Sequence, residues 1–180
     1  MNGPGVRNVL HVQGCSIHCP GCFNPKTWEP SGGVRDVVDV YRDLVRDDPQ
    51  GVTISGGEPL DQWPEVAGTL QLLRAYHPDM SVWVFSGYTI EEIKERRQLN
   101  VLASLADVLI AGPFKEEERI NSGIKGSTNQ VVLPFTDRGR EEVKSYRPGS
   151  TEVLIDEHGN VKITGFPTRE LIDRTKRELA

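Results

Sequence analysis

Residues 51–60, GVTISGGEPL, read as a compact strand that stops at a glycine turn. Gly56 and Gly57 give the turn its backbone freedom. Residues 60–76 then continue as a helix, with Trp63, Val66, Leu70 and Leu73 on one stripe. One strand–turn–helix unit suggests a fold class; its repetition along the chain decides it.

Upstream, NVLHVQG (8–14) is a short strand, followed by a loop and by VRDVVDVYRDLVR (34–46), which puts Val34, Val37, Val38, Tyr41, Leu44 and Val45 at helical spacing. Downstream, SVWVFSG (81–87), DVLIAGPF (107–114) and NQVVLPF (129–135) are further strands, and Thr89 with Glu92 forms a capping box that opens another helix. Strands alternating with helices specify an α/β protein with a mainly parallel sheet. The apolar runs VWVF and VLIA suit strands covered on both faces. EVLIDEHGNVKITGF (152–166) reads differently, as two strands around a His158-Gly159-Asn160 turn, an antiparallel edge hairpin followed by a charged closing helix over 168–179.

The chain has 180 residues, which suits one domain over 1–180. Its net charge of −5, with 26% charged residues, gives no basic stripe for nucleic acid. No apolar run approaches the roughly 20 residues of a membrane span, and the first residues lack the apolar core of a signal peptide. The expectation is a cytoplasmic protein with no nucleic-acid or membrane partner. Three clustered cysteines in a reducing compartment then read as ligands or catalysts rather than as a disulfide framework.

Those cysteines are Cys15, Cys19 and Cys22 in GCSIHCPGCFN (14–24), on a loop directly after the first strand. A zinc knot of three cysteines with His18 or His11 is one reading. Zinc sites usually draw pairs of ligands from two separated segments, however, and here three thiolates crowd into eight residues. That crowding suits an iron–sulfur cubane better, since thiolates from one loop can cap three of its irons. The fourth iron stays open, as a reactive metal does. In SGGEP (55–59), a plain strand-to-helix turn is one reading. The other is a ligand site, because ligands of open α/β sheets and barrels sit at the carboxyl ends of strands. Glu58 there can accept hydrogen bonds from an ammonium group.

The C-x3-C-x2-C spacing followed by SGGEP resembles the radical S-adenosylmethionine enzymes. The resemblance implies a partial, open (β/α) barrel, because the chain is too short to close one of about 250 residues. It implies a [4Fe–4S] cluster held by Cys15, Cys19 and Cys22, with S-adenosyl-L-methionine on the fourth iron. It further implies contacts from Ser55, Gly56, Gly57 and Glu58 to the amino group of the methionine moiety. Many relatives place an aromatic before the third cysteine, against the adenine. That position is Gly21 here, and Phe23 either takes over the contact or packs the loop. Ser86, in SGY, either meets the ribose or methionine carboxylate or forms a helix-entry turn.

NGPGVR, CPGCFNPKTW, SGGEPL, VWVFSGY, DVLIAGPF and GSTNQVV follow one another as in the anaerobic ribonucleoside-triphosphate reductase activating proteins. That resemblance implies cleavage of S-adenosylmethionine to a 5′-deoxyadenosyl radical and transfer of the radical to a glycine of a partner reductase, fed by a one-electron donor such as flavodoxin. The alternatives are the same chemistry on another glycyl radical enzyme or on a small molecule, as in a 7-carboxy-7-deazaguanine synthase, an electron carrier, or a zinc-stabilised binding module. Two departures from the resemblance stand out: the sequence starts on NGPG without the short leading strand usual there, which reads as a missing edge strand or a mis-set start codon, and the C-terminal segment extends beyond the shortest members. KGSTNQ (125–130) is either a polar loop or a close approach to ligand or partner. Arg7 is either structural or a contact to the partner's backbone. Asp107 reads as structural, and His11, His77 and His158 as surface or packing residues.

Overall fold

A computed structural model describes residues 2–120 and 123–146, the strand backbones at 152–155 and 161–164, and residues 174 and 177. Five strands form one sheet in the order β1 (Arg7–Val12), β2 (Gly51–Gly56), β3 (Ser81–Ser86), β4 (Val108–Ala111), β5 (Val131–Pro134). The first four are parallel, and β5 runs antiparallel to β4. The sheet is mixed and does not close. Strand order follows chain order, so every crossover moves the sheet one strand further the same way.

Helix α1 (Val37–Leu44) joins β1 to β2 and α2 (Trp63–Tyr76) joins β2 to β3. Helices α3 (Ile90–Glu95) and α4 (Leu99–Leu105) precede β4, and α5 (Asp137–Ser145) follows β5. The strands alternate with period two. Val52, Ile54, Val82, Val84, Leu109 and Ala111 face a core completed by Leu70 and Leu73 of α2 and Leu102 of α4. Each such buried Val, Leu or Ile contributes about 1.5–3 kcal/mol. The opposite face carries Trp83, Val108 and Ile110, packed with Phe85, Ile124, Val132 and Val143. Toward β1 that face turns polar, with Arg7 and His11 on β1 and Thr53 and Ser55 on β2, His11 pairing with Ser55. The cleft opens on this polar part.

Two helix starts differ from the sequence reading. Val34 is fully exposed, because Asp36 accepts from Val38 N and starts α1 after it. The helix expected over 60–76 is a short 3-10 turn at Pro59–Gln62 and then α2. Gln62, at φ −113 and ψ 41, breaks the run, and Pro64, without an N–H, suits the new first turn. The capping box holds: Thr89 accepts from Glu92 N while Glu92 accepts from Thr89 N.

Strands β6 (Glu152–Ile155) and β7 (Val161–Thr164) pair antiparallel, as the hairpin reading required. They pair with each other in a separate two-stranded sheet rather than as an edge of the larger one. The His158-Gly159-Asn160 turn, and the closing helix apart from Arg174 and Arg177, lie outside the described residues.

Candidate active site

At the carboxyl ends of β1, β2 and β3 lies a cleft of about 300 Å³. Cys15, Cys19 and Cys22 all line it, together with Phe23, Ser55, Gly56, Gly57, Glu58 and Ser86. The sequence-predicted residues thus come together from three loops. Gly21 is the exception: a Cβ there would meet Glu116 Oε2 at 2.6 Å.

The ladder between β1 and β2 runs on into both loops. Gly57 N donates to Val12 O and Glu58 N to Gly14 O, each at 2.8 Å. The approach is close enough that a Cβ on Gly56 would sit 2.5 Å from Val12 N and O, and one on Gly57 would land on the Gly14 carbonyl. On its other side the cysteine loop is fastened by Gly14 N to Thr27 O (2.8 Å) and Cys15 N to Trp28 O (2.9 Å). Cys22 N donates to Cys19 O at 3.1 Å, closing a turn with Pro20 second and Gly21 third. Gly21 has φ +71, the conformation a type II turn needs at that place. Cys19 and Cys22 therefore stand at the two ends of one tight turn.

All three thiols are reduced and half-buried. Burial pushes the Cys19 thiol up, and the neighbouring Cys22 and Cys15 push the same way. Soft sulfur donors on one loop, gathered in one cleft, are the set an iron–sulfur cluster takes. Trp28 borders the same cleft, and its indole Nε1–H is buried with no acceptor among the described residues. The residues present fit a cluster. Of the two histidines of the zinc-knot alternative, His18 stacks its ring on Trp28 at 4.9 Å and His11 borders the cleft. Among the described residues no three His, Cys, Asp or Glu side chains are arranged around a single metal ion.

Glu58 is 1% exposed and accepts three hydrogen bonds, from Leu60 N (2.9 Å), Ser86 Oγ (2.8 Å) and Gly87 N (2.7 Å). Burial pushes its carboxyl up to about 7 despite those donors. Ser86 Oγ in turn accepts from Tyr88 N at 3.1 Å. The second and third strand ends are thus tied together through one carboxylate.

Phe23 is 53% exposed, tilted on Phe114 at 4.7 Å and covered by the Arg119 guanidinium at 4.9 Å. In KGSTNQ, Gln130 Oε1 accepts from Gly126 N and Ser127 N while Nε2 donates to Gly112 O. The segment braces itself and presents Gly126 and Gln130 to the cleft.

Arg7 and Asp107 are structural. Arg7 is held by Thr53 Oγ1 (3.0 Å), Ser81 Oγ (3.0 Å) and the Val52 carbonyl (2.6 Å) beside the Trp83 ring, at the far end of the sheet. Asp107 accepts from Arg74, Val82 N and Thr136. His77 hydrogen-bonds Tyr41. His11, read as a surface or packing residue, borders the cleft because it stands in register with Ser55. Trp28, Ile17, Phe85 and Phe114 also line it. Sequence reasoning gave them no role there; only Phe85 lies on a strand, and the others reach the cleft from the cysteine loop and from the loop after β4.

The 4Fe-4S single cluster domain family matches residues 1–133. An anaerobic ribonucleoside-triphosphate reductase-activating protein of Escherichia coli K12 is 36% identical over 141 residues, covering 73% of this chain and 90% of the relative. A protein of that name from Haemophilus influenzae is 38% identical over 146 residues, 75% of this chain and 92% of the relative. One from Enterobacteria phage T4 is 32% identical over 143 residues, 76% of this chain and 89% of the relative. With three thiols in one cleft and that likeness over most of its length, the chain belongs to the anaerobic ribonucleoside-triphosphate reductase-activating proteins and carries their 4Fe-4S single cluster domain.

Proposed function

We propose that this protein is a radical S-adenosylmethionine enzyme that installs a glycyl radical on an anaerobic ribonucleoside-triphosphate reductase. The observation that carries the reading is the convergence of Cys15, Cys19 and Cys22 with SGG and SG strand ends on one cleft. The names of the relatives supply the partner class. In this reading residues 1–180 work as one domain in the cytoplasm, and the sheet is a segment of an open (β/α) barrel. The unbroken strand order supports that, since barrel strands follow chain order. No helix of the described residues is long and apolar enough to cross a membrane.

Cys15, Cys19 and Cys22 hold a [4Fe–4S] cluster. Held there, such a cluster would supply the one-electron reduction that cleaves S-adenosylmethionine to methionine and a 5′-deoxyadenosyl radical. Gly56 and Gly57 leave their backbone open to the methionine moiety, with Ser55 and Ser86 beside them. Glu58 has about four lone-pair sites and spends three on protein donors, which leaves about one for an ammonium group. Its main task is to keep the two strand ends in register. Phe23, with Phe114 behind it, is the aromatic surface for adenine. Ile17, Phe85 and Phe114 wall the cleft with apolar surface that keeps water from the radical. The unclosed side of the sheet admits a protein loop carrying the glycine. A one-electron donor such as flavodoxin supplies the electron.

The test is anaerobic reconstitution with iron and sulfide, then reductant, S-adenosylmethionine and the candidate reductase. A glycyl doublet in the EPR spectrum is the expected result. 5′-Deoxyadenosine without a doublet points to another substrate, and zinc without iron or sulfide after anaerobic purification ends the radical reading.

A further inference from the structure

Ser16 lies next to Cys15, on the stretch of the loop between the first two thiols, and two groups from other loops hold it. Its amide N–H donates to Asp61 Oδ2 at 2.9 Å. Its hydroxyl lies 2.8 Å from the Tyr88 hydroxyl. Tyr88 donates its single proton to Asp61 Oδ1 at 2.6 Å. The phenol oxygen therefore accepts from Ser16, and it also accepts from Arg96 at 2.6 Å. The Arg96 guanidinium lies over the Tyr88 ring, 3.9 Å from its centre. Tyr88 is 8% exposed and anchors the network from beneath, while Ser16, Asp61 and Arg96 lie at the surface.

The members come from separate parts of the chain. Asp61 follows SGGEP on the 3-10 turn, Tyr88 ends SGY, and Arg96 caps α3. Ile17 also leans this way: its Cδ1 would lie 2.6 Å from a Cβ on Gly87. The Thr27 and Trp28 carbonyls fasten the start of the loop. The Asp61–Tyr88 pair fastens the next residue from the opposite side.

We propose that Asp61 and Tyr88 are positioning residues that fix Ser16, and through it Cys15, so that the loop is set for a cluster before the cluster arrives. Arg96 acts behind them by holding the Tyr88 hydroxyl. This rests on the reading that the three cysteines carry a cluster. Partners that orient metal ligands in this indirect way typically cost 10–100-fold in affinity when removed.

The experiment reconstitutes the full chain anaerobically and follows iron release to a ferrous chelator. Wild type is compared with Asp61→Asn, Tyr88→Phe and Ser16→Ala, and apo-protein melting is recorded for each. Iron and sulfide uptake by wild type tests the cluster reading itself; the ratio of variant to wild type tests this inference. Asp61→Asn, which keeps the shape but gains a donor, should release iron about 10-fold faster, and Tyr88→Phe several-fold faster. The EPR signal of the reduced cluster should shift in both, with apo melting near wild type. In a double-mutant cycle the effects of Tyr88→Phe and Ser16→Ala should be less than additive, because both remove the Ser16–Tyr88 contact. Iron release and EPR signals unchanged from wild type in Tyr88→Phe and Ser16→Ala overturn the proposal, whatever Asp61→Asn does to folding. So does faster release that merely tracks a fall in apo melting temperature.

Discussion

The two ends of the same sheet bury charge in opposite ways. At the amino end Asp107 pairs directly with Arg74, and Arg7 is linked to Glu142 through the Ser81 hydroxyl. Arg7 is drawn down to about 10 by burial but has Glu142 and Asp107 against it. Burial works against the Asp107 charge as well, yet hydrogen bonds from Thr136 and Val82 N–H and the Arg74 charge hold its carboxyl below the usual range. Glu142 accepts from both Ser81 and Trp83. At the carboxyl end Glu58 is just as buried, but its three donors are neutral, and it is pushed up to about 7. Paired charge with well-made hydrogen bonds holds elements together. A lone carboxyl among glycines and thiols is costly to keep charged, and such groups mark sites that meet a ligand.

The sharpest way to separate the two ends is to remove one group from each. Cys15→Ala, Cys19→Ala and Cys22→Ala should each abolish 5′-deoxyadenosine formation and reduce bound iron to background. Urea unfolding of the apo protein should move by no more than about 0.5 kcal/mol, because a half-buried thiol outside the core contributes little. Asp107→Ala should do the reverse. It strands Arg74, whose ion pair at 2.7 Å has side chains only 19% and 4% exposed. The expected loss is about 3 kcal/mol in urea unfolding at neutral pH. If Asp107→Ala left stability intact, or a cysteine variant collapsed the apo fold, the division of labour between the ends would be wrong.

Glu58 supplies a pH test of the same contrast. Its folded pKa of about 7 lies above the ordinary 4.5. Between those values the folded protein binds the proton that the unfolded chain has released. Stability is therefore fully present below about pH 4.5 and falls as pH rises through about 7. The fall is of order 3 kcal/mol for one group. Glu58→Gln should flatten this part of the profile in urea unfolding of the apo protein between pH 5 and pH 8. A profile with the same slope in both proteins would mean that Glu58 is charged and satisfied like its counterparts at the amino end.

Much of the fold is legible because β3 and β4 are covered on both faces and so appear as apolar runs. The cysteine spacing is legible because all three residues lie within one loop. The contacts that decide roles are not local. The partner of Glu58 is Ser86, 28 residues on, and Arg7 reaches Thr53 and Ser81 at separations of 46 and 74. Spacing alone cannot say that Asp61 and Tyr88 meet, since only the register of β2 with β3 brings their loops side by side. Val34 shows the converse failure. It fits the helical spacing of its neighbours, but the Asp36 cap leaves it outside the helix.

The smallest effects concern glycines, and they sharpen the contrast by asking which of them the cleft requires. Gly57 lies between the Gly14 and Thr27 carbonyls, and a methyl group there has backbone on both sides. Gly57→Ala should cost about 1–3 kcal/mol through forced backbone shifts, and part of that shift falls on the cysteine loop, so cluster content should drop with it. Gly68 makes the comparison because it sits inside α2, where a Cβ would only touch Val37 Cγ1 at an ordinary 3.5 Å. A helix-interior glycine carries more conformational freedom into the unfolded chain than alanine does. Gly68→Ala should therefore stabilise the protein by about 0.5–1 kcal/mol, with cluster content unchanged. Opposite signs from the same substitution mean that the glycines of the cleft serve close backbone approach. Stabilisation at both positions would mean that the cleft has room the structure does not display.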